Sequence, residues 1–116
     1  MNIEAVVAYC CLAMPGAQES YPFGDHVLVA KVGGKGFAFV GQEEPGSVAV
    51  KCGATKEEAA ELRERHPAAV SVMDYLGRYG WNRVELGAGV PDAELEELLD
   101  ASYEAVVKKL PRAKRP

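Results

Sequence analysis

Apolar residues recur along this chain with two periods, and the switches between them predict its elements. Ile3, Val6, Val7, Cys10 and Met14 return every three or four positions, which places them on one face of a helix over residues 3–14. Asn2 can cap its start, and Pro15-Gly16 stops it. A loop of turn formers follows over 17–25, containing Tyr21-Pro22-Phe23-Gly24. Proline fixes a turn there and the two rings are expected to fill a gap at the sheet edge; the alternative is a loop lining a pocket beside Lys51.

The period then drops to two. Residues 27–32 read as a strand, Gly33-Gly34 as a two-residue hairpin turn, and 37–40 as the returning strand. Strict alternation there puts Phe37 and Phe39 on one face and Ala38 and Val40 on the other. After a polar turn over 42–46, Val48, Val50 and Cys52 alternate with Ala49 and Lys51 as a third strand of an antiparallel meander. Thr55-Lys56-Glu57-Glu58 has capping-box spacing and opens a helix that carries Ala59 and Leu62 and ends before Pro67. Two more strands, 69–73 and 83–86, are joined by a connection over 75–81. Val90-Pro91-Asp92 begins the longest helix, whose inward stripe is Leu95, Leu98, Leu99, Ser102, Val106 and Leu110. This order predicts an α+β two-layer sandwich: a five-stranded antiparallel sheet with the N- and C-terminal helices on one face. The other face then meets solvent or a ligand.

A length of 116 residues fits a single domain over 1–116, with enough core to stand without metal or disulfide staples. No repeat, linker or low-complexity segment interrupts it. A net charge of −4 argues against a general nucleic-acid coat protein. The average hides an asymmetry. Residues 92–104 hold six acids and no base, whereas 105–116 hold five bases (Lys108, Lys109, Arg112, Lys114, Arg115) and no acid. Acids early and bases late suit a helix dipole; the basic end reads either as a solvated tail or as a phosphate contact.

Cys10 and Cys11 are adjacent and cannot usefully bridge each other, and three cysteines leave an odd one, so reduced thiols are expected. His26 and His66 lie far apart with no CxxC or HxxxH spacing, so the sequence offers no metal site and no cofactor is expected. The apolar run 5–13 is too short to cross a bilayer and follows Glu4 rather than a basic segment. A cytoplasmic, monomeric protein without membrane contact is the expectation.

Cys11-Leu12-Ala13-Met14-Pro15-Gly16, Tyr21-Pro22-Phe23-Gly24, Lys31-Val32-Gly33-Gly34-Lys35, Leu62-Arg63-Glu64-Arg65-His66-Pro67, Trp81-Asn82, Val90-Pro91-Asp92, and Ser102-Tyr103 through Lys109-Leu110-Pro111 occur in an order that resembles the MmcQ/YjbR family. The resemblance covers nearly the whole chain. It implies a frataxin-like sandwich with a double-wing surface, and it implies the DNA-binding role attached to that family. Family members often carry Lys-x-His-Trp where this chain reads Arg78-Tyr79-Gly80-Trp81, so a cation carries over and a histidine role does not. Frataxin-like domains that bind iron use an acidic ridge near the first helix, where this chain offers only Glu4.

Candidate ligand-contacting residues are Lys31, Lys35, Lys51, Arg78, Tyr79, Trp81, Asn82 and Arg83. Lysines supply point charges and arginines planar forks for phosphate oxygens, while an indole between cations can stack a base. On the same residues, Trp81 can be a core anchor and the cations can pair with Glu85, Asp74 and other acids. Serines 20, 47, 71 and 102 lack a GxSxG context and no histidine stands ready to activate them, so no catalytic residue is assigned. The expectation is a binding module for DNA or another anionic ligand and not an enzyme; a protein-interaction or small-ligand domain without nucleic-acid activity is the alternative.

Overall fold

Alternating side chains need a sheet with two unlike faces, and the computed structural model forms one. It describes residues 7, 10–41, 46–52, 56–73 and 80–116. The strands are β1 (Gln18–Ser20), β2 (Val27–Val32), β3 (Lys35–Gly41), β4 (Ser47–Lys51), β5 (Val70–Val72) and β6 (Trp81–Glu85). The helices are α1 (Lys56–Arg65) and α2 (Asp92–Lys109), followed by one 3-10 turn, Arg112–Lys114. All neighbouring strands pair antiparallel in the order β1-β2-β3-β4-β6-β5. The fold class is the expected one, an α+β sandwich.

The sheet has six strands rather than five. The extra one, β1, lies inside the predicted loop and pairs Gln18, Glu19 and Ser20 with Lys31, Ala30 and Val29. Gln-Glu-Ser has no apolar alternation, so backbone pairing alone makes this edge strand. Tyr21 and Phe23 also depart from expectation: both rings are exposed, Phe23 by 62%, and neither fills a gap. Of the predicted first helix, Val7 and residues 10–12 are described and helical; Val7 is buried as the spacing requires, but Cys11 rather than Cys10 is the fully buried cysteine. Residues 13 and 14 are already a turn, so the helix ends earlier than predicted; its remaining residues, the turn at 42–45, the cap at Thr55 and most of the 75–81 connection lie outside the described residues. Among those described, no helix is long and apolar enough to cross a membrane.

The core sits between the sheet and the helices. Leu28, Ala30 and Val32 of β2, Val40 of β3, Val48 and Val50 of β4, and Val84 of β6 meet Leu95, Leu99, Val106 and Leu110 from α2 and its end. Alternation breaks once. Ala30 pairs with Ala38 but Lys31 pairs with Gly36, so Phe37 is an extra residue, a β-bulge. Phe37 and Ala38 are therefore both fully buried, and the Phe37 ring meets Tyr103 edge-on at 5.2 Å. Phe37 and Phe39 consequently lie on opposite faces, not on one.

The bulge leaves backbone groups that Ser102 satisfies. Its buried hydroxyl donates to the Phe37 carbonyl at 2.6 Å and accepts from the Lys51 N–H at 2.9 Å. One side chain thus joins α2 to β3 and β4. Gly33 and Gly34 carry φ of 58° and 83°, the left-handed pair that a tight hairpin needs, and a Cβ on Gly33 would come within 2.6 Å of Leu110. The hairpin and the end of α2 therefore fit against each other.

Ser102→Ala should destabilise the fold by about 1–3 kcal/mol for each buried group left without a partner. Urea unfolding is expected to show a lower midpoint at unchanged m-value.

Candidate functional site on the open face of the sheet

Cross-strand register fixes which side chains share the face away from the helices. Its upper row runs Lys31–Gly36 and Lys51–Trp81, next to the hairpin. The middle row runs Val29–Phe39–Ala49–Arg83–Ser71 across five strands. Below it lie Val27, Gly41, Ser47 and Glu85. Lys31, Lys51, Trp81 and Arg83 therefore do share one face, whereas Lys35, expected there too, pairs with core Val32 and falls on the helix side. At a strand spacing near 4.8 Å, Lys31 and Trp81 are about 14 Å apart.

The floor of this face is apolar. Phe39 and Trp81 meet edge-to-face at 5.7 Å, and Phe39 also leans over Gly36, where a Cβ would stand 3.3 Å from its Cζ. Gly36 is the gap that admits the ring. Trp81 is only 7% exposed, so it is not the free stacking platform its neighbours suggested. Its flat surface is spent on packing.

Asn82 is a second correction. Alternation turns it to the helix face, fully buried, where its amide donates to the Ala59 carbonyl at 3.0 Å and accepts from Arg63 at 2.6 Å. It anchors α1 on β6 and touches no ligand surface. Sequence reasoning missed Arg63; the signal was its position one turn after the apolar Ala59.

The cations divide by environment. Arg83 and Lys35 are exposed and Lys31 is half-buried. Among the described residues none of the three forms an ion pair, whereas Arg65 pairs with Glu94 at 3.1 Å and the His66 ring nitrogen hydrogen-bonds to the same carboxylate at 2.9 Å. Arg83 borders a cleft lined by Pro67, Ala69, Ser71 and Glu85, beside edge strand β5. Lys51 is 8% exposed, and burial, followed by the charge of Lys109 beside it, lowers the pKa of its amine. Arg78 and Tyr79 lie outside the described residues.

Three free thiols complete the chemistry. Burial, helped by the neighbouring Cys10, pushes the Cys11 thiol up to about 12, and burial also raises Cys52 against the opposing influence of Asn82 and Arg63. Neither is an available nucleophile. Among the described residues, no group of three or more His, Cys, Asp or Glu side chains could hold a metal.

The fold and face define a class: an open-faced α+β sandwich with an apolar floor flanked by cations. A family model described as YjbR matches residues 12–105, and the chain belongs to the YjbR family. It is 34% identical over 116 residues to the Escherichia coli K12 "Uncharacterized protein YjbR", covering 99% of this chain and 95% of that one. A Deinococcus radiodurans crystal structure with the family-model domain DUF419 superposes with TM-score 0.82 at 32% identity, over 93% of this chain and 81% of that one. A Pseudomonas syringae protein shares the fold at TM-score 0.71 and 15% identity, over 90% of this chain and 98% of that one.

A neutral quencher such as acrylamide should reach Trp81 poorly in the folded protein and freely in urea. Trp81→Ala is expected to cost about 3–5 kcal/mol through lost packing. Iodoacetamide should label half-exposed Cys10 first, sparing Cys11 and Cys52 until unfolding; mass mapping of the alkylated peptides checks the order.

Proposed function

We propose that this YjbR-family chain is a DNA-contacting module that grips phosphates with the cations of its open face. The observation that carries this reading is that Lys31 and Arg83 form no ion pair among the described residues while sharing one sheet face. A cation that holds no salt bridge is free to turn to an incoming anion. Lysine offers a mobile point charge and Arg83 a planar fork that can hold two phosphate oxygens.

The covered indole gives the proposal its character. With Trp81 spent on Phe39, the described face offers cations rather than a ring for base stacking. Phosphate contacts position a nucleic acid without reading its sequence. The reading is therefore of sequence-independent binding in the cytoplasm. Net charge of −4 keeps that binding weak and local, because only one part of the surface attracts the duplex.

A second reading has its own observation. Tyr21 and Phe23 are exposed on the loop after β1, where two neighbouring rings suit a protein partner.

Fluorescence anisotropy of a labelled mixed-sequence duplex tests the first reading. Affinity should fall with salt with a log–log slope at least as steep as about −1.8 for two phosphate contacts. Arg83→Ala should make the slope shallower by about 0.9 and leave thermal stability unchanged. Absence of salt-dependent binding overturns the reading; association that ignores salt and is lost in Phe23→Ser favours the protein-partner alternative.

A further inference from the structure

The asymmetry of charge along α2 becomes an asymmetry of the whole molecule. Asp92, Glu94, Glu96, Glu97, Asp100 and Glu104 occupy its earlier turns, and Lys108 and Lys109 its last. An 18-residue helix is about 27 Å long, a large part of the molecule's 40 × 33 × 26 Å extent. At the acidic end, Glu94 already holds Arg65 and His66. The basic end has no such compensation among the described residues.

Packing brings three separate chain segments to that basic end. The Gly33 turn of the β2–β3 hairpin fits beneath Leu110, and a Cβ there would also stand 3.1 Å from the Lys114 carbonyl oxygen. The 3-10 turn carrying Arg112 and Lys114 therefore lies along the hairpin that carries Lys35. The Lys51 amine, at the end of β4, comes beside Lys109. Burial, followed by that neighbour, disfavours the charged form of Lys51.

One cation of the tail is already engaged. Arg115 turns back, its Nε donating to the Leu110 carbonyl at 2.9 Å and its Nη2 to the Lys108 carbonyl at 2.8 Å. These bonds close the open end of α2 and fix the tail's path. Lys109, Arg112 and Lys114 are left exposed, with no ion pair among the described residues.

We infer that the hairpin end of the molecule, built from Lys35, Lys109, Arg112 and Lys114, is a second phosphate-contacting surface that continues the open face around the end of the sheet. The partner is the DNA backbone, so this surface rests on the DNA reading above and adds the path the duplex takes. The upper row of the open face, with Lys31, borders the same hairpin, and a duplex resting there meets both sets of cations. Affinity then comes from the sheet end more than from the middle of the face.

The full-length protein and the labelled mixed-sequence duplex test this. The triple variant Lys109→Gln, Arg112→Gln, Lys114→Gln should make the salt slope shallower by about 2.7, and Arg112→Gln alone by about 0.9. Arg65→Gln should leave the slope as it is, because its guanidinium is paired with Glu94 at the far, acidic end of α2. Each variant is checked for an unchanged thermal melt, and the single variant keeps the measurement decisive if the triple one melts early. A wild-type slope in Arg112→Gln overturns the end surface while leaving the DNA reading intact. Equal effects of Arg112→Gln and Arg65→Gln also overturn it, since bulk charge alone would then explain both. No DNA binding by the wild-type chain overturns the DNA reading and this surface with it.

Discussion

The Ser102 hydroxyl is the joint on which the two layers turn. A bulge in β3 leaves the Phe37 carbonyl facing the helix layer, and the end of β4 leaves the Lys51 N–H beside it. Buried backbone groups of this kind cost free energy unless something bonds them. One serine on α2 bonds both. It thereby sets where α2 crosses the sheet, which in turn carries Leu110 to the hairpin and Lys109 to Lys51. The bulge also sends Phe37 into the core against Tyr103, leaving Phe39 to form the opposite floor with Trp81. Architecture and surface chemistry thus share one irregularity.

Charge has been sorted in the same way. Where acids and bases meet across elements they are paired, as Arg65 and His66 with Glu94 at the start of α2. Where they would serve an anion they stand apart. A chain with a net charge of −4 can still attract a polyanion if its cations lie on one side and its acids on another, because screening limits each patch's reach to about 10 Å at moderate salt. The length of α2 exceeds that reach, so its acidic start hardly offsets its basic end.

Much of the fold was legible because periodicity is a local property. The strands over 27–32 and 37–40, the helix beginning at Asp92 and its stripe of Leu95, Leu99, Ser102, Val106 and Leu110 all follow from spacing. β1 was not legible, since three polar residues become a strand only when the backbone of β2 stands beside them. The site was readable in part. Spacing alone assigns Trp81 to a connection, but β6 begins at Trp81 and its register sets Trp81 and Arg83 on one face with Lys51. Alternation alone should also have separated Asn82 from them, and its burial beneath α1 confirms that separation.

By itself the sequence determined the fold class, the order of elements apart from β1, and the family, because each depends on patterns carried within short stretches. Which aromatic ring is covered, which cations stand together and what Ser102 bonds were decided only by the tertiary structure. Those outcomes depend on a one-residue slip between two strands and on contacts between segments far apart in the chain. No local pattern encodes either.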